Sequence, residues 1–386
     1  MERIGVLEYW SDGTMRRMII PFVVLGCFLT VLASTASAQT DWKKQWEATV
    51  EAGRKEGEVV IYGPHNPAYQ QIWAIFQKTY PEVKCTFVPG RGSDHAQRIV
   101  AERRAGKFLA DLLMGGSSTY AAFAPGTLEP LKPLLILPDV NDANNWFDGR
   151  LHFADGQNNA GLIISGEIGT RRGSYNTKLL DPKEVQSWWD LLKPKFKGKL
   201  VSFDPRVAGG GGETFMFFYD TPSLGQKYIT QLLSETDILI TRDLQQGTDW
   251  LGSGKVIFQI GSGQPVMKAN KQGLPVDLMP HPLKEGDIMG GGSCCLAVMS
   301  KAPHPNAAKL FVNWVLSREG QIAWQKYTEV NSLRVDIPKT DLPADDVPQK
   351  GVNYFMLNSA KYNGMEGRKA LHQIVEDALK KAGKAK

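Results

Sequence analysis

The sequence predicts an α/β protein of two lobes, each a mostly parallel sheet flanked by helices. Three observations predict it. Short β-rich runs alternate with helical stretches along almost the whole chain, the order that builds covered parallel sheets. Once an N-terminal export segment is set aside, about 350 residues remain, more than the roughly 250–300 at which a single hydrophobic core stops growing. Beyond that segment no stretch is long and apolar enough to cross a bilayer, and the mean hydropathy is −0.26, so a soluble mature protein is expected.

The export segment comes first. Arg16 and Arg17 precede a largely apolar run from Met18 to Leu32, and Ala36-Ser37-Ala38 supplies the small-x-small pattern of a signal-peptidase site. The run contains Pro21 and falls short of the roughly 20 apolar residues that span a membrane. Residues 1–38 therefore read as a cleaved signal peptide rather than a retained anchor, with the mature chain beginning at Gln39 and located in the periplasm. Cys27 lies inside the apolar run and reads as part of it, not as a lipid attachment site.

The first lobe opens with a strand at Val59–Tyr62, followed by an amphipathic helix from Pro67 to Thr79 that places Ile72, Ile75 and Phe76 on one face. A second strand at Val83–Val88 ends at Pro89-Gly90, and a polar-faced helix covers Ser93–Arg104. A short third strand at Ala110–Met114 leads through Gly115-Gly116 into a helix with Ser117 or Ser118 as N-cap. Two β-like runs between Gly161 and Asn176, with Arg171-Arg172 at their turn, carry the chain into the second lobe. Strands there are expected at Lys199–Phe203, Asp237–Thr241, Val256–Ile260 and Val276–Met279. Gly290-Gly291-Gly292 marks the return, Cys295–Met299 rejoins the first sheet, and helices follow at Asn306–Leu316, Glu319–Tyr327 and Gly367–Lys381. The expected division is 39–165 for the first part of lobe 1, 166–290 for lobe 2, and 291–386 for the remainder of lobe 1 with the C-terminal helices.

The net charge of +5 is spread out apart from the terminal Lys380, Lys381, Lys384 and Lys386. That excludes the concentrated basic stripe of a nucleic-acid binder and suits steering of an anionic ligand. Three cysteines follow the export segment: Cys85, Cys294 and Cys295. In an exported protein Cys294 and Cys295 can form a vicinal bridge, one of them can pair with Cys85, or all can stay buried thiols; the spacing leaves these open. No C-x-x-C pair exists, so zinc and thioredoxin-like chemistry have no foothold.

Several segments together carry a family likeness: Trp188-Trp189-Asp190-Leu191-Leu192 with Pro194-Lys195-Phe196-Lys197-Gly198-Lys199, Asp204-Pro205-Arg206, Ala302-Pro303-His304-Pro305-Asn306-Ala307-Ala308, and Leu316-Ser317-Arg318-Glu319-Gly320-Gln321. On these the chain resembles the type II periplasmic binding proteins of ABC importers, specifically the family that includes the ferric-iron-binding proteins. The resemblance implies two lobes on a two-strand hinge that close over a solute and present it to an inner-membrane permease. It implies no cofactor. The segments themselves read physically as core, turns and helix caps, with Pro305 at a helix start.

Ligands of open α/β sheets lie beyond the carboxyl ends of the strands. Four loops qualify: Gly63-Pro64-His65-Asn66, Gly115 to Thr119, Asp204 to Gly212, and Gly261-Ser262-Gly263-Gln264. Glycines at helix starts expose backbone N–H donors in the field of the helix dipole, which favours an anion. Arg206 adds a guanidinium fork, with pairing to Asp204 or Glu213 as its structural alternative. The expected ligand contacts are His65, Ser117, Ser118, Asp204, Arg206, Gly210, Gly211, Ser262 and Gln264.

Ferric iron is the alternative ligand. The resemblance implies a histidine after the first strand, where His65 stands, but also an adjacent tyrosine pair, and this chain has no Tyr-Tyr doublet. No metal is therefore expected, unless His65 serves an atypical iron site. Catalysis is not expected: Gly247 and Gly252 have P-loop spacing without the Lys-Ser/Thr that grips phosphate, and neither H-E-x-x-H nor G-x-S-x-G occurs. The leading expectation is a monomeric carrier of a small anionic solute; the rival of another class is a periplasmic ligand sensor for a receptor.

Overall fold

The computed structural model describes residues 41–120, 123–155, 159–207, 210–261, 263–290, 295–359 and 365–384. The expectations for the signal peptide, Ser262 and Cys294 fall outside these residues. Helix α1 covers residues 41–56, and the body that begins at Thr49 contains everything below.

Its strands, in chain order, are β1 (Glu58–Gly63), β2 (Lys84–Pro89), β3 (Leu112–Gly115), β4 (His152–Phe153), β5 (Leu162–Ile163), β6 (Ser174–Asn176), β7 (Leu200–Phe203), β8 (Leu239–Thr241), β9 (Phe258–Ile260), β10 (Val276–Leu278), β11 (Asp287–Met289), β12 (Cys295–Val298) and β13 (Tyr354–Met356). Two sheets carry the lobes, with orders β2-β1-β3-β12-β5-β4 and β10-β6-β9-β7-β8, and β11 pairs with β13 separately. In each sheet three parallel strands form one portion: β2-β1-β3 in the first and β9-β7-β8 in the second. Antiparallel strands extend each of them. β12 sits between β3 and β5, so the return of the chain into the first sheet is as expected from the sequence.

Helices α2 (Ala68–Thr79), α3 (Gly92–Arg104) and α4 (Ser117–Tyr120) follow β1, β2 and β3. The apolar period of α2 buries Ile72, Trp73 and Phe76 against α10 (Pro305–Leu316). There Phe76 meets Phe311 and Trp314 edge-on at 5.0 and 5.2 Å, a favoured geometry for aromatic rings. In the second lobe, α6 (Gly210–Asp220) and α7 (Gly225–Glu235) bury Phe215, Phe217, Phe218, Tyr228 and Leu232 in one cluster.

The same cluster contains Leu371, Val375, Ala378 and Leu379 from α12 (Met365–Lys381). The C-terminal helix therefore packs on the second sheet's helices, and its expected place in lobe 1 is corrected. The route is a third crossing: β13 runs alongside β11, and the Leu357 N–H donates to Met289 O at 2.9 Å. Local pattern marks α12 as amphipathic but does not say which apolar surface receives it.

The crossings meet in a small ribbon. Gly166 N donates to Asn331 O at 2.9 Å, and Glu167 and Gly290 exchange backbone hydrogen bonds at 3.0 Å each way. A Cβ at Gly166 would lie 2.6 Å from Met289 Cγ, so glycine here leaves room for the Met289 side chain between the crossings. Arg172 donates from Nε to Asp287 Oδ2 at 2.6 Å and from Nη2 to Asp345 O at 3.1 Å. The ion pair is 2% and 1% exposed, and it ties the first crossing to the other two.

The motif segments prove to be structural joints. Buried Asp111, just before β3, accepts from Val60 N and from the backbone N and Nδ1 of His304. Glu56 accepts from Asn306 Nδ2 and Ala307 N at the start of α10, 2.7 Å each. The double-tryptophan segment forms a 3-10 helix, Trp188–Leu192, closed by a Ser187–Asp190 capping box.

Candidate functional site

The parallel portions place their carboxyl-end loops as topology requires. On the first lobe, the loop after β1 carries His65, which is exposed. The loop after the neighbouring strand β3 leads straight into α4. The backbones of Ser117 and Ser118 form the first turn of α4, while their side chains lie outside the described part. Thr119 Oγ1 is so close to Gly92 that a Cβ there would overlap it, so the start of α3 abuts this loop. His95, on α3, is buried and hydrogen-bonds through Nε2 to Gly63 O at 3.1 Å. Burial pushes its imidazole below the ordinary value, against the raising effect of that carbonyl, and it braces the β1 loop as a neutral ring.

On the second lobe, α6 starts hard against the end of β7: a Cβ at Gly211 would overlap Phe203 O. Gly210, Gly211 and Gly212 occupy the first turn, where backbone N–H groups have no helical acceptor. Gln264 opens α9 (Gln264–Lys271) and is exposed. Just before it, Gly263 N donates to Thr170 O at 2.7 Å, joining this loop to the first crossing.

Arg206, expected to offer its fork to an anion, is engaged elsewhere. Its Nε and Nη2 grip the two oxygens of Asp204 at 2.8 Å each, its backbone N donates to Asp204 Oδ1 at 3.0 Å, and Nη1 reaches Glu376 of α12 at 3.2 Å. Arg242 adds a third cationic contact, Nε to Asp204 Oδ2 at 3.0 Å. Burial pushes the Asp204 carboxyl up, but the contacts from Arg206 and Arg242 outweigh it and hold it at about 2. Asp204 and Arg206 line a cavity of about 470 Å³ with residues of β8, Arg242, Leu379 and Lys384. β8 ends the sheet order, so this pair belongs to the outer edge of the lobe. The pairing of Arg206 with Asp204 that the sequence allowed is thus present, and with Glu376 it clamps the end of β7 to α12.

The arginine that does stand between the loops is Arg171. Its Nε and Nη2 lie 2.8 and 2.7 Å from Glu213 Oε2, in the first turn of α6, and Nη1 reaches Thr170 Oγ1 at 3.2 Å. It is 15% exposed. Glu167 belongs to the same group: burial raises its carboxyl, and Arg171 opposes the shift. The signal was present in the sequence as an arginine pair inside an apolar crossing. One arginine is buried structure and its neighbour faces the loops. His65 and the start of α4 follow the neighbouring parallel strands β1 and β3 on one lobe, and Arg171 joins the first turn of α6, with Gly210 and Gly211, to the region of the α9 start on the other. Among the described residues no group of three or more His, Cys, Asp or Glu side chains is placed to hold a metal ion.

The profile of the family described as bacterial extracellular solute-binding protein matches residues 71–348, well over half of the chain. The chain belongs to the bacterial extracellular solute-binding proteins. This is a family of binding proteins rather than enzymes. An uncharacterised protein of Haemophilus influenzae is 27% identical over 326 residues, covering 82% of this chain and 89% of its own length. Among solved structures, a putative extracellular solute-binding protein from Bordetella parapertussis shares the fold with a TM-score of 0.63 at 15% identity, covering 84% of this chain and 99% of that one. The iron- and citrate-bound IdiA (FutA) protein of Trichodesmium aligns with a TM-score of 0.58 at 15% identity, covering 85% and 99%. The periplasmic binding protein AfuA of Actinobacillus pleuropneumoniae, with fructose-6-phosphate bound, aligns at 0.52 and 20% identity, again covering 85% and 99%. These relatives establish the two-lobed type II fold.

Proposed function

We propose that this protein is the periplasmic substrate-binding component of an ABC importer, capturing a small anionic solute between its lobes and delivering it to an inner-membrane permease. The lobes divide at the crossings near residues 165 and 290. The observation that carries the anionic reading is Arg171, a largely buried guanidinium held at the first turn of a helix that opens with three glycines. Its carboxylate partner Glu213 is replaceable: it presents one oxygen to both Nε and Nη2, an incoming carboxylate or phosphate can present two, and the first-turn N–H groups add donors that Glu213 does not use. The loops around His65 and the start of α4 supply the opposite wall. The relative that holds a sugar phosphate supports an anionic solute, and the Gly261–Gln264 loop, with no tyrosine pair, weighs against ferric iron.

The test is mass spectrometry of solute co-purified with the native protein, followed by titration of the identified compound into wild type and Arg171→Ala. A charge-assisted hydrogen bond contributes about 1.5–3 kcal/mol, so affinity should fall about 10- to 100-fold. Unchanged affinity in the folded variant, or a neutral or cationic solute in the mass spectrum, overturns the reading.

A further inference from the structure

Arg171 carries one positive charge and already answers to more than one carboxylate. Glu213 lies 2.7 and 2.8 Å from its Nη2 and Nε. Glu167, half-buried four residues earlier on the same crossing, feels the same guanidinium. Among the described residues the charges that act on Glu167 are Arg171, Asp346 and Glu213, one cation against two anions. The neighbouring Arg172 offers no relief, because it is committed to Asp287 at 2.6 Å with both side chains buried.

The backbone fixes this arrangement. Glu167 exchanges hydrogen bonds with Gly290 at 3.0 Å each way, so its main chain stays beside the other crossing. Asp346 closes the 3-10 turn Ala344–Asp346, and the preceding carbonyl, Asp345 O, accepts from Arg172 Nη2 at 3.1 Å. That contact holds the turn against the first crossing. The crowding is already felt without a solute. Burial raises the Glu167 carboxyl above the ordinary 4.5, Arg171 opposes the rise, and Asp346 and Glu213 add to it. Asp346 is raised as well, by burial first, with Arg172 opposing and Asp345 adding.

An anion that takes Glu213's place on Arg171 changes the balance. It occupies the one guanidinium that offsets Glu167 and brings at least one further negative charge beside it. Like charges this close in half-buried surroundings favour the neutral form of one of them. Glu213 is 25% exposed and can turn to water, whereas Glu167 is tied to the ribbon.

We propose that Glu167 is the charge-balancing residue of the solute site, taking up one proton as the anion binds, so that capture is proton-coupled. The inference rests on the reading of Arg171 as the anion grip. No bond of the solute forms or breaks; the proton passes from solvent to a carboxylate oxygen of Glu167. The sign follows from linkage: binding raises a carboxyl that already lies above its ordinary value. Affinity is highest below the unliganded value, falls as pH rises between the unliganded and liganded values, and is lowest above both.

The test is calorimetric titration of the mature, full-length protein with sulfate and with formate, both ionised from pH 5 to pH 8, in two buffers of different ionisation enthalpy. At least one should bind saturably, more weakly in Arg171→Ala, with up to one proton taken up and an affinity about tenfold higher at pH 5 than at pH 8. Glu167→Gln, with its fold checked by melting temperature, should take up no proton and bind equally at both pH values. Asp346→Asn removes a like charge from Glu167, so its rise in affinity should be displaced to lower pH; an undisplaced profile counts against the proposal even if Glu167→Gln fails to fold. Binding that Arg171→Ala weakens but that takes up no proton, or the same uptake in folded Glu167→Gln, overturns the coupling and leaves the anion grip standing. No saturable binding of either anion, or binding indifferent to Arg171→Ala, overturns both.

Discussion

Asp204→Asn separates a structural role from a ligand role at the segment that looked most like an anion grip. Asp204 is 1% exposed and bound by Arg206 and Arg242. Burial alone would raise its carboxyl, yet those contacts bring it from 3.8 down to about 2. At about 1.4 kcal/mol per pH unit, the charged form contributes about 2 kcal/mol to folding. The sign follows from linkage: a carboxyl depressed in the folded state stabilises fully above its unfolded value near 4, and the contribution is lost as pH falls through about 2. Urea denaturation at a series of pH values should therefore show wild type about 2 kcal/mol more stable than Asp204→Asn at pH 7, with the gap closing between pH 4 and pH 2. Affinity for the native solute should be unchanged. Equal stability at pH 7, a gap that persists at pH 2, or a tenfold loss of affinity without loss of stability would refute the clamp.

Other outcomes follow from the same geometry. Arg172→Met leaves Asp287 buried without its partner and should cost about 3–5 kcal/mol, whereas adding Asp287→Leu should recover most of it; denaturant midpoints of both variants decide. The Cys85 thiol, raised by burial to about 12, should resist iodoacetamide at pH 8 until the protein unfolds, and rapid native alkylation contradicts that. Ferric citrate should produce no stoichiometric visible charge-transfer band, since the paired tyrosines that give one are missing; a stable red complex would restore iron as the solute. Periplasmic protein should begin at Gln39 on N-terminal sequencing, and a membrane-bound species retaining residues 1–38 would contradict cleavage.

Local pattern carried the fold a long way. Val59–Tyr62, Lys199–Phe203 and Val256–Ile260 read as strands because consecutive apolar β-formers fill both faces of a covered sheet, and each overlaps a strand of the structure. The period of α2 placed Ile72 and Phe76 in the core. Two-residue strands such as His152–Phe153 have no period to detect. The site was less legible, for a physical reason. Arg206 lies two residues from Asp204 in sequence, but its other acceptor, Glu376, is 170 residues away, and only the docking of α12 brings that carboxylate to Nη1. Arg171 and Arg172 are neighbours with opposite fates: one side chain meets Asp287 in the crossing and the other meets Glu213 at a helix start. Which neighbour faces inward depends on the path of the crossing, a property of the assembled lobes.

The central claim is capture between two lobes, and small-angle X-ray scattering with the co-purified solute tests it most directly. Donors at the α4 start, the α6 start and Arg171 belong to different lobes and the crossing between them, so a single small solute satisfies them together only when the lobes approach. After the native solute has been removed by partial unfolding and refolding, the account predicts a radius of gyration that decreases on saturation, and a smaller decrease at the same concentration in Arg171→Ala. A radius of gyration unchanged at saturating solute would contradict it.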